Sequence, residues 1–211
     1  MIGIKKATLC LALVAATSIL AAPAFAEFAG TPLYSGSTTF ASDEEIPLLT
    51  GYVDWAVYAP NTFPYSDPGY TPTPGQRIYV YQVFNTGNTY ISKYIVPLDN
   101  SANNIGSFSD AGISGIAPWA EAPDLPMVLV TPGSASWNFT GFNPGNSSEG
   151  LIFCSPNTEI DYLAVTLNGG SYAIVDPVPV PGPESIPEPS TLLSLMVALG
   201  IIAATVRSKR R

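Results

Sequence analysis

The sequence predicts an all-β fold: a single antiparallel β-sandwich of eight or nine strands, placed between an N-terminal signal helix and one C-terminal transmembrane helix. Three observations predict it. Short runs between residues 37 and 175 alternate apolar and polar side chains with period two, clusters of Gly, Pro, Asn and Ser separate them, and no window there carries a helical stripe.

The N-terminus comes first. Lys5 and Lys6 precede an apolar stretch at 7–20, and Ala24 and Ala26 are the small residues at the minus-three and minus-one positions of a signal peptidase site, so residues 1–26 read as a signal peptide cleaved before Glu27. Cys10 lies inside the apolar stretch and is a small apolar residue there, not a lipid attachment point.

Strands follow. In 51–60, Val53, Trp55, Val57 and Ala59 point one way and Tyr52, Asp54, Ala56 and Tyr58 the other, and Pro60 ends the run. Trp55 is assigned to the core. Runs at 76–84, 89–98, 127–130, 136–140, 151–154 and 160–167 share the pattern, with a weaker strand at 37–40. The last run, 172–175, folds back on 160–167 through the turn Asn168-Gly169-Gly170-Ser171. Residues 62–74 and 100–126, rich in Pro, Gly, Ser and Ala, are expected as long loops. The β domain is therefore placed at 27–176, enough chain for one domain.

Prolines 177, 179, 181, 183, 187 and 189 make 177–190 a stiff extended linker. Beyond Ser190 and Thr191, which can cap a helix, residues 192–206 carry no charge and no proline. At about 1.5 Å per residue this run reaches roughly 22–25 Å, short for a span of about 20 residues. Arg207 and Lys209 can extend it by reaching the headgroups. The span is set at 191–206, and Arg207, Lys209, Arg210 and Arg211 hold 207–211 on the cytoplasmic side.

Setting both ends aside changes the charge balance. The chain has a formal net charge of −8, yet 27–188 holds all sixteen acidic residues against only Arg77 and Lys93. Such a surface repels nucleic acid, which is excluded as a partner. Cys154 is the one cysteine left outside the signal peptide, so this region forms no internal disulfide and relies on its core.

The sequence holds no histidine, which removes Ser-His-Asp and Cys-His catalysis. Cys154, on a strand, reads as a buried small residue. Glycoside hydrolysis needs only two carboxylates, and Glu121, Asp124, Glu149 and Glu159 lie near loops, but no pair of them sits in a recognisable local frame. Asp43-Glu44-Glu45 lacks the bend glycine and alternating acids of a calcium loop and reads as a solvated turn. No catalytic residue, metal site or cofactor is expected, and the protein is read as non-enzymatic. Trp119 and Trp137, with Tyr65 and Tyr70 in or beside loops, could stack on sugar faces, which makes a carbohydrate-binding module on extracellular polysaccharide the alternative. Tyr79, Tyr81, Tyr90 and Tyr94 are better explained as cross-strand pairs.

Two resemblances add to this reading. The order Pro187-Glu188-Pro189-Ser190, short apolar helix and terminal Arg/Lys cluster resembles the PEP-CTERM sorting signal of Gram-negative bacteria, which membrane-embedded exosortases recognise. The resemblance implies export, an inner-membrane intermediate, processing near Pro187 to Pro189 by an exosortase-type enzyme, and delivery to the cell surface or extracellular matrix. An ordinary anchor that is never cut is the alternative for the tail. The stretch Tyr81-Gln-Val-Phe-Asn-Thr-Gly-Asn-Thr-Tyr-Ile, and the Pro144-Gly145 turn leading toward Leu151, resemble turns of bacterial immunoglobulin-like surface modules and imply a sandwich of that kind.

Overall fold

A computed structural model describes residues 28–183, apart from 47, 66, 68, 99 and 110–119. The expected signal peptide, the Pro-Glu-Pro motif, the C-terminal apolar run and the basic tail lie outside the described residues. Among the described residues no helix is long and apolar enough to cross a membrane.

The all-β antiparallel class holds. Among the described residues ten strands form, β1 (Tyr34–Ser42), β2 (Thr50–Tyr58), β3 (Arg77–Asn85), β4 (Ile91–Leu98), β5 (Asn103–Phe108), β6 (Asp124–Val130), β7 (Gly133–Phe142), β8 (Gly150–Ser155), β9 (Ile160–Gly169) and β10 (Tyr172–Pro181). The expected division into two immunoglobulin-like sheets does not hold. Pairing runs through one sheet in the order β5-β8-β3-β2-β1-β10-β9-β4-β7-β6, curled so that its edge strands β5 and β6 approach each other in a nearly closed barrel. The physical reason is β1. It pairs along its length with β2, and its end then pairs with β10 at Ala41↔Ile174 and Ser42↔Ala173, joining what would otherwise be separate sheets.

That junction divides the barrel into two five-stranded halves around a shared core. Val53, Tyr81, Leu151 and Phe153 from one half meet Tyr94, Trp137, Val165 and Val178 from the other. In the second half β4 alternates after an irregularity at Ile91 to Lys93: Tyr94, Val96 and Leu98 are buried while Lys93, Ile95 and Pro97 are partly exposed. The first half is covered on both faces. On its outer side Ala56, Tyr58, Ile78, Val80, Ile152 and Cys154 lie beneath Phe28, Tyr65 and Tyr70, which explains the near-continuous burial of β3 and β8.

The Asn85-Thr86-Gly87 turn does not close a hairpin, because β3 and β4 belong to different halves; it carries the chain across, with Thr86 and Asn88 N–H groups donating to the Thr50 and Leu48 carbonyls. The turn between β9 and β10 is the expected hairpin, with Tyr172 opposite Asn168.

Two boundaries move. The stretch expected as the loop 100–126 contains β5, an edge strand of weak strand composition paired to β8. Its Gly106 is required by packing, since a Cβ there would stand 2.2 Å from the Tyr70 ring. The expected linker 177–190 begins too early, because β10 continues to Pro181 and Val178 to Pro181 are buried. An extra β10 residue between Val175 and Val178 forms a bulge, and this shift of phase turns Val178 and Val180 inward. Pro177, Pro179 and Pro181 have no N–H to satisfy, and their carbonyls accept from Thr38 Oγ1 (2.8 Å), Tyr81 OH (2.5 Å) and Asn100 Nδ2 (3.2 Å).

Candidate functional site

The loop between β2 and β3 is fastened over the outer face of the first half by aromatic side chains. Tyr58 OH donates to the Ala29 carbonyl at 2.8 Å, the Ala29 N–H donates to Tyr65 OH at 2.7 Å, and Tyr65 packs 4.9 Å from Phe108, ring centre to ring centre. Tyr70 OH donates to the Asn104 carbonyl at 2.7 Å and lies 3.4 Å from Cys154 Sγ. Burial, and after it the Cys154 contact, holds the Tyr70 phenol well above the usual tyrosine range.

Where this loop meets the β5–β6 seam there is a polar cleft of about 380 Å³, lined among others by Asp67, Tyr70, Asn104, Ser107, Met127 and Glu149. Its two carboxylates are held differently. Asp67 accepts from the Gly69 N–H at 2.5 Å through Oδ1 and from the Ser109 N–H at 2.8 Å through Oδ2, so it shapes the loop. Glu149 accepts from Ser107 Oγ at 2.8 Å. Burial raises its pKa, the Ser107 hydrogen bond opposes that shift, and the Asp67 charge adds to it. With Asp67 tied to two backbone amides, the cleft is lined by polar groups able to hydrogen-bond a ligand.

The other carboxylates singled out in the sequence have partners of their own. Glu149 N–H donates to the Glu121 carbonyl at 2.9 Å, and the Glu121 side chain accepts from Asn146 Nδ2 at 2.7 Å. Asp124 accepts from Thr140 Oγ1 at 2.6 Å, and Glu159 contributes its carbonyl to Gly182 N–H and Tyr79 OH. Glu44, solvent-exposed, accepts from Ser171 Oγ, which lowers its pKa together with Ser42. Among the described residues no group of three His, Cys, Asp or Glu could hold a metal ion.

Trp137 is corrected from ligand aromatic to core. It is fully buried, stacks near Phe153, and donates Nε1–H to the Gly106 carbonyl at 2.8 Å. Tyr65 and Tyr70 are also buried and offer no platform. Trp119 lies outside the described residues, as do Ala24, Ala26, Pro187, Glu188, Pro189, Ser190, Arg207, Lys209, Arg210 and Arg211.

The aromatic surface that sequence reasoning missed is around Trp55, which is partly buried at the margin of the core instead of inside it. Its indole lies across Gly36, where a Cβ would come within 2.5 Å of Cζ2, and its Nε1–H donates to Thr38 Oγ1 at 3.3 Å. Tyr162 meets it edge-on, with centroids 6.1 Å apart. Tyr34, two residues before Gly36 on β1, is also exposed. The available signal was Gly36 itself, which stands opposite Trp55 in the β1–β2 register.

No family model matches this chain, and neither a curated protein nor a solved structure matches it.

Proposed function

We propose that this chain is an exported, non-enzymatic surface or extracellular-matrix protein, processed and sorted through a C-terminal PEP-CTERM signal. One observation carries the reading: Pro187-Glu188-Pro189-Ser190, the uncharged run 192–206 and Arg207 to Arg211 occur in that order. The folded region supports it, because it fits between the two targeting segments. Phe28 is buried directly after the signal peptidase site, and Gly182 is tied down by the Glu159 carbonyl and by Asn157 Nδ2 at 2.8 Å. The leash to the motif is thus shorter than the 177–190 linker read from the prolines. In this reading a signal peptidase cuts after Ala26, residues 191–206 hold an inner-membrane intermediate, and an exosortase-type enzyme releases the domain to the surface.

The test replaces Pro187, Glu188 and Pro189 together by alanine in the full chain, expressed in a Gram-negative host that carries an exosortase. The variant is expected to accumulate in the membrane fraction at a larger intact mass than the wild type. Identical trimmed masses for both would refute the sorting reading.

A further inference from the structure

We propose that the corner formed by Trp55 and Tyr162 is a binding site for an uncharged pyranose polymer. It is independent of the sorting reading and of the β5–β6 cleft. The corner exists because β1 and β10 part company. Beyond Ala41 and Ser42, β1 pairs only with β2, while β10 from Val175 onward pairs only with β9, so no backbone ladder joins β1 to β10 there and Trp55 on β2 can meet Tyr162 on β9.

Three features make this more than an incidental apolar patch. The indole is held in one orientation before any ligand arrives: Gly36 leaves space beneath it, Thr38 Oγ1 accepts its Nε1–H, and the same Thr38 hydroxyl donates to the Pro177 carbonyl. A preset aromatic face loses little freedom on binding. Tyr162 remains 44% exposed, so its ring is open to a ligand in a way that the core rings of Tyr79, Tyr81 and Tyr94 are not. Aromatic faces combined with phenol hydroxyls suit a pyranose, whose C–H faces stack while its hydroxyls hydrogen-bond.

Charge selects the kind of sugar. Asp161 and Asp176, both exposed, adjoin Tyr162 and Pro177 in the chain, and the domain around them is strongly acidic. A uronate or sulfate polymer is repelled there, whereas neutral hydroxyls find acceptors.

The experiment uses the full chain in a zwitterionic detergent without a sugar headgroup and measures retardation in native gels cast with galactomannan, dextran, mixed-linkage β-glucan or alginate. At least one neutral polymer is expected to retard the protein, and alginate is not. Tyr162→Ala and Trp55→Phe, each checked for unchanged circular dichroism, are expected to weaken retardation at least tenfold. Absence of retardation by all three neutral polymers, equal retardation by alginate, or retardation untouched in both variants would each overturn the proposal. So would self-association of the wild type that Tyr162→Ala abolishes, since the corner would then be a contact between copies of this chain.

Discussion

Tyr81 OH donates to the Pro179 carbonyl across 2.5 Å, reaching from the inner face of β3 to the unpaired side of β10. Both partners are buried, and the phenol is held well above its usual range by burial, with Tyr94 and Tyr79 adding to the shift. The bond joins the two halves of the barrel where β1 no longer does so.

Tyr81→Phe and Tyr94→Phe should therefore differ. Phenylalanine at 81 leaves a buried carbonyl without its donor, expected to cost about 1–3 kcal/mol. Tyr94 is equally buried, but its hydroxyl has no hydrogen-bond partner among the described residues, so Tyr94→Phe removes an unsatisfied group and is expected to be neutral or stabilising. Urea unfolding of both variants decides the matter. Equal losses would show that the Pro179 bond carries no particular weight.

The prolines of β10 give a second expectation. In a strand, the N–H and C=O of one residue point to the same side, so Pro179 and Pro181, whose carbonyls are taken by Tyr81 and Asn100, would otherwise direct N–H groups into buried space that offers them no ladder partner. Changing Pro177, Pro179 and Pro181 together to alanine restores three donors, two of them buried, and loosens the unfolded chain, which alone lowers stability by about 0.4–1 kcal/mol per site. Urea unfolding of the variant is expected to show a lower midpoint than the wild type. An unchanged midpoint would show that proline is not needed at these positions.

These prolines also show where sequence reasoning reaches its limit. Alternation marked β2, β4, β7 and β9 because each sets apolar residues of period two against a core. The same logic misread 177–181, where proline is usually a breaker and the compensation comes from Thr38, Tyr81 and Asn100, all distant in sequence. It missed β5 because Asn103, Asn104, Gly106 and Ser107 have weak strand preference, and pairing with β8 supplies the order. Single sheet or sandwich depended on two residue pairs between β1 and β10, which leave no mark on either strand alone. In the candidate cleft Glu149 was visible as an acid near loops, but its neighbour Asp67 comes from a loop far away in the chain. Tryptophan type did not separate a fully buried residue from one at the margin of the core: Trp137 and Trp55 both sit on alternating strands, and Gly36 opposite Trp55 is the local difference.

Glu149 supplies a pH-dependent expectation. Burial is the largest influence on its carboxyl and raises the pKa above the ordinary value of 4.5, so the folded protein holds this proton more tightly than the unfolded chain does. Below 4.5 the group is protonated in both states and contributes no difference. As pH rises through the ordinary value and then the raised folded value, the folded state loses the stability that the proton gave it. Glu149→Gln keeps an acceptor for Ser107 and cannot ionise. The thermal midpoint of Glu149→Gln minus that of the wild type is therefore expected to increase between pH 4 and pH 7 and then level off. Melting both proteins at unit steps of pH measures this difference directly, with the titration of most other groups common to both. A difference that stays flat would mean that the cleft leaves Glu149 as well solvated as a surface carboxyl, and one that falls would mean that the Ser107 hydrogen bond outweighs burial.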